Sequence, residues 1–325
     1  MRPLLWVRRM LVLNQRKQIN EVMMKAIVVS KYGGPEVMQF EDFPDPSPSS
    51  DEVLVRVAAT SINPFDIMRR SGAAKAFAPI SFPGVVGVDV AGTVISCGKN
   101  VKGFSAGDRV FGMASQTYAE LCVVKADSLA KIPAGLDLVE AAALPLVTTT
   151  GYQLITKGAS VQSGQTVLVT GAFGSVGRSA VFTAKSRDAR VVAGVRQKQV
   201  ERAAALNVDA VVSVEDQGAV ANLPMLDAVA DTVNGSTASS LVGKVKAGGI
   251  FASVLGAPQN SAQYPSVKIV PVYAEPDVKA LLELAKAVLE GKLTILIAAK
   301  KPLKEAGAAH SLVAKGVDGK VLLVP

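Results

Sequence analysis

The chain has 325 residues, of which 49% are hydrophobic and 19% charged, with a formal net charge of +8. That length predicts two domains, each able to bury its own core, and the composition excludes a fibre or a disordered chain. Two cysteines, Cys97 and Cys122, exclude a disulfide framework and fit a reducing compartment, and Gly and Pro interrupt every apolar run before the roughly 20 residues of a membrane span.

Arg2, Arg8, Arg9, Arg16 and Lys17 against Glu21 put +4 of the +8 excess into residues 1–22. The remaining cations are scattered and lack interleaved aromatics, so they read as solvated surface, and nucleic acid is not an expected partner. Segment 1–22 is basic and acid-poor. It reads either as an organellar presequence or as a start assigned too early, ahead of Met23 or Met24. The second reading, with a cytoplasmic location, is preferred, and the segment is set apart from the fold.

From residue 25 to about 124, short apolar stretches alternate with Gly, Pro and Asp. Strands are expected at 25–30, 52–58, 85–94 and 108–111, with a polar loop over 44–52 and a turn over 103–107. This is a β-rich domain. Helices are expected next at 140–144 and 150–157, after which strand and helix alternate as in βαβ units. The strands are 166–170, 190–195, 210–214, 226–231, 249–255 and 267–272, and the helices 175–185, 199–206, 237–246 and 277–290. Six parallel strands make a doubly wound sheet. The terminal strand, 319–324, is expected to pair back into the β-rich domain. That domain then comprises 23–145 and 273–325, around a nucleotide-binding domain of 146–272.

The stretch TVLVTGAFGSVG, 166–177, is a β-branched apolar run ending in Gly171, Gly174 and Gly177. A strand there must reverse into a helix whose free N–H groups can face a pyrophosphate. In the frame G-x-G-x-x-G the first position is Ala172, so the turn glycine is displaced to Gly171, and the motif alone is weak. The expected cofactor contacts are Gly171, Ala172, Phe173, Gly174, Ser175, Val176 and Gly177, joined by Asn234, Leu255 and Gly256.

The blocks KAIVVSKYGGPEVMQFED, SINPFDIMRRSG, FPGVVGVDVAGTV, GDRVFG, YAELCVVKAD, AAALPLVTTTGYQL, the glycine loop and AAHSLVAKGVDGKVLLVP cover nearly all of 25–325. In this order they resemble the medium-chain dehydrogenase/reductase superfamily and, within it, the zinc-free quinone oxidoreductase branch. The resemblance implies an α/β fold: a GroES-like β-rich catalytic domain plus a Rossmann domain with a six-stranded, doubly wound parallel sheet. It also implies a homodimer paired through sheet edges, for which the apolar strand 267–272 with Pro271 is suited.

A catalytic zinc needs about three protein ligands and a structural zinc usually four. One histidine and two cysteines cannot supply both. Where zinc-dependent relatives carry a cysteine near the position of Asn63, and a Gly-His-Glu, this chain reads NPFD and Gly87, Val88, Asp89. No metal is expected, and Asp89 reads as a domain-packing or turn carboxylate.

Folds that take NAD usually place an acid roughly 20 residues past the glycine loop, on the ribose 2′-OH. Here that neighbourhood is Gly194, Val195, Arg196, Gln197 and Lys198, with two cations and no carboxylate. Arg196 and Lys198 would pair with a 2′-phosphate, so NADPH is the expected cofactor; the alternative is two charges on a solvated helix start.

With no metal to polarise the acceptor, a hydride from NADPH needs a small, apolar, electron-poor partner such as a quinone or an α,β-unsaturated carbonyl. The resemblance assigns Asn63 a ligand-side hydrogen bond, Thr150 the positioning of the nicotinamide ring and Asp66 the holding of its loop. Each has a structural alternative: a turn residue before Pro64, a helix cap, and one of three threonines in a buried turn. Met68 stands where relatives often carry a tyrosine, with Tyr118 and Tyr273 as replacement candidates, and Phe111, Leu255 and Val272 are candidate lining. No nucleophile elbow accompanies His310, which is expected at the surface or at a hinge. The competing reading is a non-catalytic NADPH-binding sensor or RNA-associated protein on the same fold.

Overall fold

The computed structural model describes residues 22–325. The reading of residues 1–21 as a leader or an early start lies outside them. The first half is built from eight strands: β1 (Met23–Val29), β2 (Met38–Pro44), β3 (Glu52–Ser61), β4 (Gly84–Val85), β5 (Asp89–Cys97), β6 (Arg109–Met113), β7 (Leu121–Lys125) and β8 (Leu129–Lys131), with helix α1 (Pro64–Ser71) after β3. Helix α2 (Pro145–Gln153) leads into β9 (Thr166–Thr170), α3 (Ser175–Lys185), β10 (Arg190–Val195), β11 (Ala210–Ser213), α4 (Gln217–Ala221), β12 (Leu226–Asp231), α5 (Gly235–Leu241), β13 (Val245–Ser253) and β14 (Lys268–Pro271). The chain closes with α6 (Val278–Leu289), β15 (Ile297–Pro302), α7 (Ala306–Ala314) and β16 (Lys320–Val324).

Strand β3 shows why the first half folds as it does. Its alternating Val53, Val55 and Val57 point to one face and bury against Val90, Val94 and Val110 of β5 and β6. Around β3 lies a seven-stranded sheet of order β15-β16-β3-β5-β6-β8, with β7 also pairing β3. The expected return of the last strand is found: Leu322 and Leu323 of β16 pair antiparallel with Ser61 and Thr60 of β3.

The second sheet has six parallel strands in the order β11-β10-β9-β12-β13-β14. Val167, Leu168 and Val169 of β9 are all buried, as a central strand covered on both faces requires. The chain winds outward from β9 to β10 and β11, then crosses to β12, β13 and β14, so the order reverses beside β9. Ligands of such sheets bind at this switch point, beyond the C-terminal strand ends. β14 is an edge, with Pro271 as its last residue.

Three expectations need correction. Residues 199–206 are not an α-helix but part of two 3₁₀ segments, Gln197–Gln199 and Glu201–Leu206. The expected strand 85–94 is broken at Gly87, whose φ of +104 separates β4 from β5. The expected helix 237–246 ends early, because β13 already begins at Val245, opposite Leu226. Gly248, at φ +79, falls in the irregular part of that pairing, inside the strand. Among the described residues no helix is long and apolar enough to cross a membrane.

Candidate active site

Ser61 ends β3, Asn63 precedes α1, and Pro64 sits at the first helical position, where a missing N–H is harmless. The Asp66 carboxylate reaches back to accept the Asn63 N–H at 2.9 Å, closing the entry to the helix. The Asn63 amide is engaged on both sides. Its Nδ2 donates to Asp89 at 2.8 Å and its Oδ1 accepts from the Lys320 ammonium at 2.5 Å. In this structure the buried Asn63 amide has both ends partnered within the protein, which holds the loop.

Asp89 joins this loop to the second half of the chain. It is fully buried, accepts the Ser61 hydroxyl, and accepts the Leu146 N–H at 2.7 Å in the first turn of α2. A carboxylate at a helix N-terminus meets the positive end of the dipole. Four residues along the same helix, the Thr150 hydroxyl donates to the Leu146 carbonyl at 2.6 Å. Gln153 ends the helix by clamping the Glu275 backbone, donating at 2.8 Å and accepting at 3.0 Å. Lys320, from β16, completes the cluster 3.8 Å from Asp89. Burial pushes its ammonium down and Asp89 opposes that shift. Sequence reading passed over Lys320. The available signal was a lone cation opening the apolar run KVLLV, since a charge on a core strand must find partners.

Behind Asp66 lies a second buried chain of groups. Burial pushes Asp66 up to about 7, against the Asn63 N–H, and one of its oxygens has no partner. The Tyr118 hydroxyl lies 3.3 Å from the other oxygen and 3.0 Å from His310 Nε2. Burial holds His310 neutral, down to about 3, with Arg70 adding to the shift. A neutral imidazole protonated at Nε2 donates to Tyr118, which donates to Asp66, and Nδ1 is left without a partner. Two expectations are corrected here. His310 is a core residue, not a surface or hinge one, and the fully buried Tyr118 has no hydroxyl to offer a ligand.

The candidate lining divides. Phe111 is core, packed with Ala59 and Ala91, and Val272 belongs to the core of the parallel sheet. Leu255 is exposed at the end of β13. Tyr273, at 69% exposure, lies 6.2 Å from the Phe77 ring, which is 6.4 Å from Phe65 of α1. These three rings form an open apolar row beside the Asn63 helix.

The glycine loop is a tight strand-to-helix turn. Gly171 has φ +60, and a Cβ at Gly177 would run into the Gly171 carbonyl oxygen. The helix can therefore start hard against the strand end, with Gly174 at its N-cap and Ser175 and Val176 partly exposed in its first turn. Ala172 and Phe173 are buried, so they offer backbone rather than side chain. The Phe173 ring is flanked by the guanidinium groups of Arg178 and Arg202, at 5.3 and 5.5 Å.

Asp231, at the end of β12, ties the switch point together by accepting the Thr170 and Ser253 hydroxyls, each at 2.8 Å. Asn234 follows with φ +60 and donates to the Leu255 carbonyl at 2.6 Å, and Gly256 has φ +96. Asn234, Leu255 and Gly256 thus gather at one edge with the glycine loop.

Arg196 and Lys198 are exposed just beyond β10. The expectation of no carboxylate in that neighbourhood is corrected. Glu215, from beyond β11, accepts the Gln197 N–H at 2.8 Å. Among the described residues no group of three or more His, Cys, Asp or Glu side chains is arranged to hold a metal ion.

Residues 49–134 match the family described as alcohol dehydrogenase GroES-like domain, and residues 206–323 the one described as zinc-binding dehydrogenase. The chain is 32% identical over 328 residues to the chloroplast envelope quinone oxidoreductase homolog of Arabidopsis thaliana, covering 93% of this chain and 99% of that protein. It is 33% identical over 247 residues to the human mitochondrial NAD(P)H oxidoreductase RTN4IP1, covering 66% of this chain and 60% of that one. Among solved structures, the quinone oxidoreductase from Coxiella burnetii superposes with a TM-score of 0.84 at 27% identity, covering 94% of this chain and all of that one.

Proposed function

The chain belongs to the medium-chain dehydrogenase/reductase superfamily, in its quinone oxidoreductase-like branch, and from that premise we propose that it reduces quinones or α,β-unsaturated carbonyls with NADPH, without a metal. At the coarser level it is an NAD(P)H-dependent oxidoreductase.

The observation that carries the reading is the close approach of Gly177 to the Gly171 carbonyl, which leaves the N–H groups of the first turn of α3 facing the switch point. The first turn of α3 would hold the pyrophosphate, and Arg196 and Lys198 the 2′-phosphate. When bound, the nicotinamide supplies the hydride. The chain's own residues orient the reactants and exclude water. Thr150 sits on a helix whose first turn is fixed by Asp89, and Asn63, Asp66 and Lys320 stiffen the facing loop rather than touch the acceptor. Phe65, Phe77 and Tyr273 offer ring faces to a planar, apolar acceptor. With Tyr118 buried and a methionine at 68, protonation of the reduced acceptor falls to solvent. A homodimer joined through the β14 edge accompanies this reading.

The test is NADPH oxidation, followed by nicotinamide absorbance, over a panel of quinones and enones. Turnover with at least one acceptor is expected. Tight NADPH binding with no turnover by any of them would instead favour a non-catalytic nucleotide-binding protein.

A further inference from the structure

Strands β10 and β11 run parallel in a register that sets Val195 beside Ser213, so the residues following each strand emerge together at the C-terminal edge of the sheet. The Val214 N–H reaches the Val195 carbonyl at 2.9 Å, and one residue later the Glu215 carboxylate takes the Gln197 N–H at 2.8 Å. The turn is closed from the other side by Gln199, whose side-chain oxygen accepts the Arg196 N–H at 3.1 Å. A carboxylate is thus seated on a backbone donor between two exposed cations, Arg196 and Lys198, where the adenosine ribose of a dinucleotide arrives on such a sheet.

We infer that Glu215 is a determinant of cofactor preference, a built-in anion that competes with a 2′-phosphate for the Gln197 N–H and the flanking cations. The inference rests on the dinucleotide reading above and refines it. A free 2′-OH is a donor and can hydrogen-bond to the carboxylate where it stands. A 2′-phosphate is an anion with acceptor oxygens: it is repelled by Glu215 and gains the Gln197 N–H only when that side chain swings away. Arg196 and Lys198 pull the preference towards NADPH while Glu215 pulls it back, so the chain discriminates less than its cations alone would dictate.

The test compares wild type, Glu215→Gln and Arg196→Ala by fluorescence titration with NADPH, NADH and the fragments 2′,5′-ADP and 5′-AMP. Glu215 and Arg196 are exposed, and circular dichroism checks that each variant is folded. Glu215→Gln is expected to raise the ratio of NADPH to NADH affinity about two- to fivefold, the range of exposed charge pairs. The 2′,5′-ADP to 5′-AMP ratio should follow, and both shifts should shrink at high salt. A ratio unmoved by Glu215→Gln, with NADPH affinity lowered by Arg196→Ala, would overturn the role of Glu215 and leave the dinucleotide reading intact. A wild type that binds neither dinucleotide would defeat the reading itself.

Discussion

Lys320 and Asp89 face each other 3.8 Å apart with both side chains buried, so one strand from the end of the chain neutralises a carboxylate from its first third. Removing one partner strands a charge in the core. Lys320→Met is expected to cost about 3–5 kcal/mol of unfolding free energy, read from the denaturant midpoint. Adding Asp89→Asn should recover part of the loss, and two variants whose effects simply add would speak against the coupling.

Gly177→Ala forces a methyl group into the Gly171 carbonyl, whereas a Cβ at Gly174 meets that oxygen at 3.2 Å and only crowds it. Gly177→Ala is therefore expected to weaken NADPH binding on the order of tenfold or more, with a stability loss of about 1–3 kcal/mol. Gly174→Ala should do markedly less to both. Equal dissociation constants for the two variants would contradict the close-approach argument.

Asp66 and His310 make opposite demands on pH. Asp66 is raised to about 7 from an ordinary 3.8, so the native state holds a proton that the unfolded chain releases, and its contribution is lost as pH rises through that window. His310 is lowered to about 3 from 6.5, so the unfolded chain holds the extra proton and stability grows as pH rises. The two slopes, each at most about 1.4 kcal/mol per pH unit, oppose one another in the wild type. Melting temperatures from about pH 4 to 7 should change little in the wild type, fall with pH in His310→Gln and rise with pH in Asp66→Asn.

The thiols should be unequal. Burial pushes the Cys122 thiol up to about 12, while Cys97 is half-buried. Labelling with a thiolate-specific reagent near neutral pH should modify Cys97 alone in the native protein and both cysteines after denaturation. Rapid native labelling of Cys122 would argue against its burial.

Local pattern made most of the fold legible. The buried β-branched run of β9, the displaced glycine loop and the return of the final strand were readable because each is announced by its own residues. What failed lay where a partner distant in sequence decides. Residues 245 and 246 read as the end of a helix, yet become strand because β12 offers an edge to pair with. His310 looked peripheral because nothing near it in sequence suggests Tyr118, which stands 192 residues away. Asn63 shows the same dependence on distant residues: its motif is local and readable, but the partners of its amide, Asp89 and Lys320, are not. Glu215 escaped for the same reason, since a rule counting along the chain from the glycine loop cannot see a carboxylate delivered by the neighbouring strand.

The late arrival of β16 has a consequence for synthesis. The parallel sheet is complete once Pro271 has been made, but the β-rich sheet receives β16 and Lys320 only when residues 320–324 have left the ribosome. The nucleotide-binding part can therefore assemble on the nascent chain, while the sheet begun first must wait with Asp89 in place and its counter-ion missing. A premature stop just before Lys320 would leave the β-rich sheet without β16 and Asp89 without its counter-ion, and a quality-control system would meet it as a half-finished domain attached to a finished one.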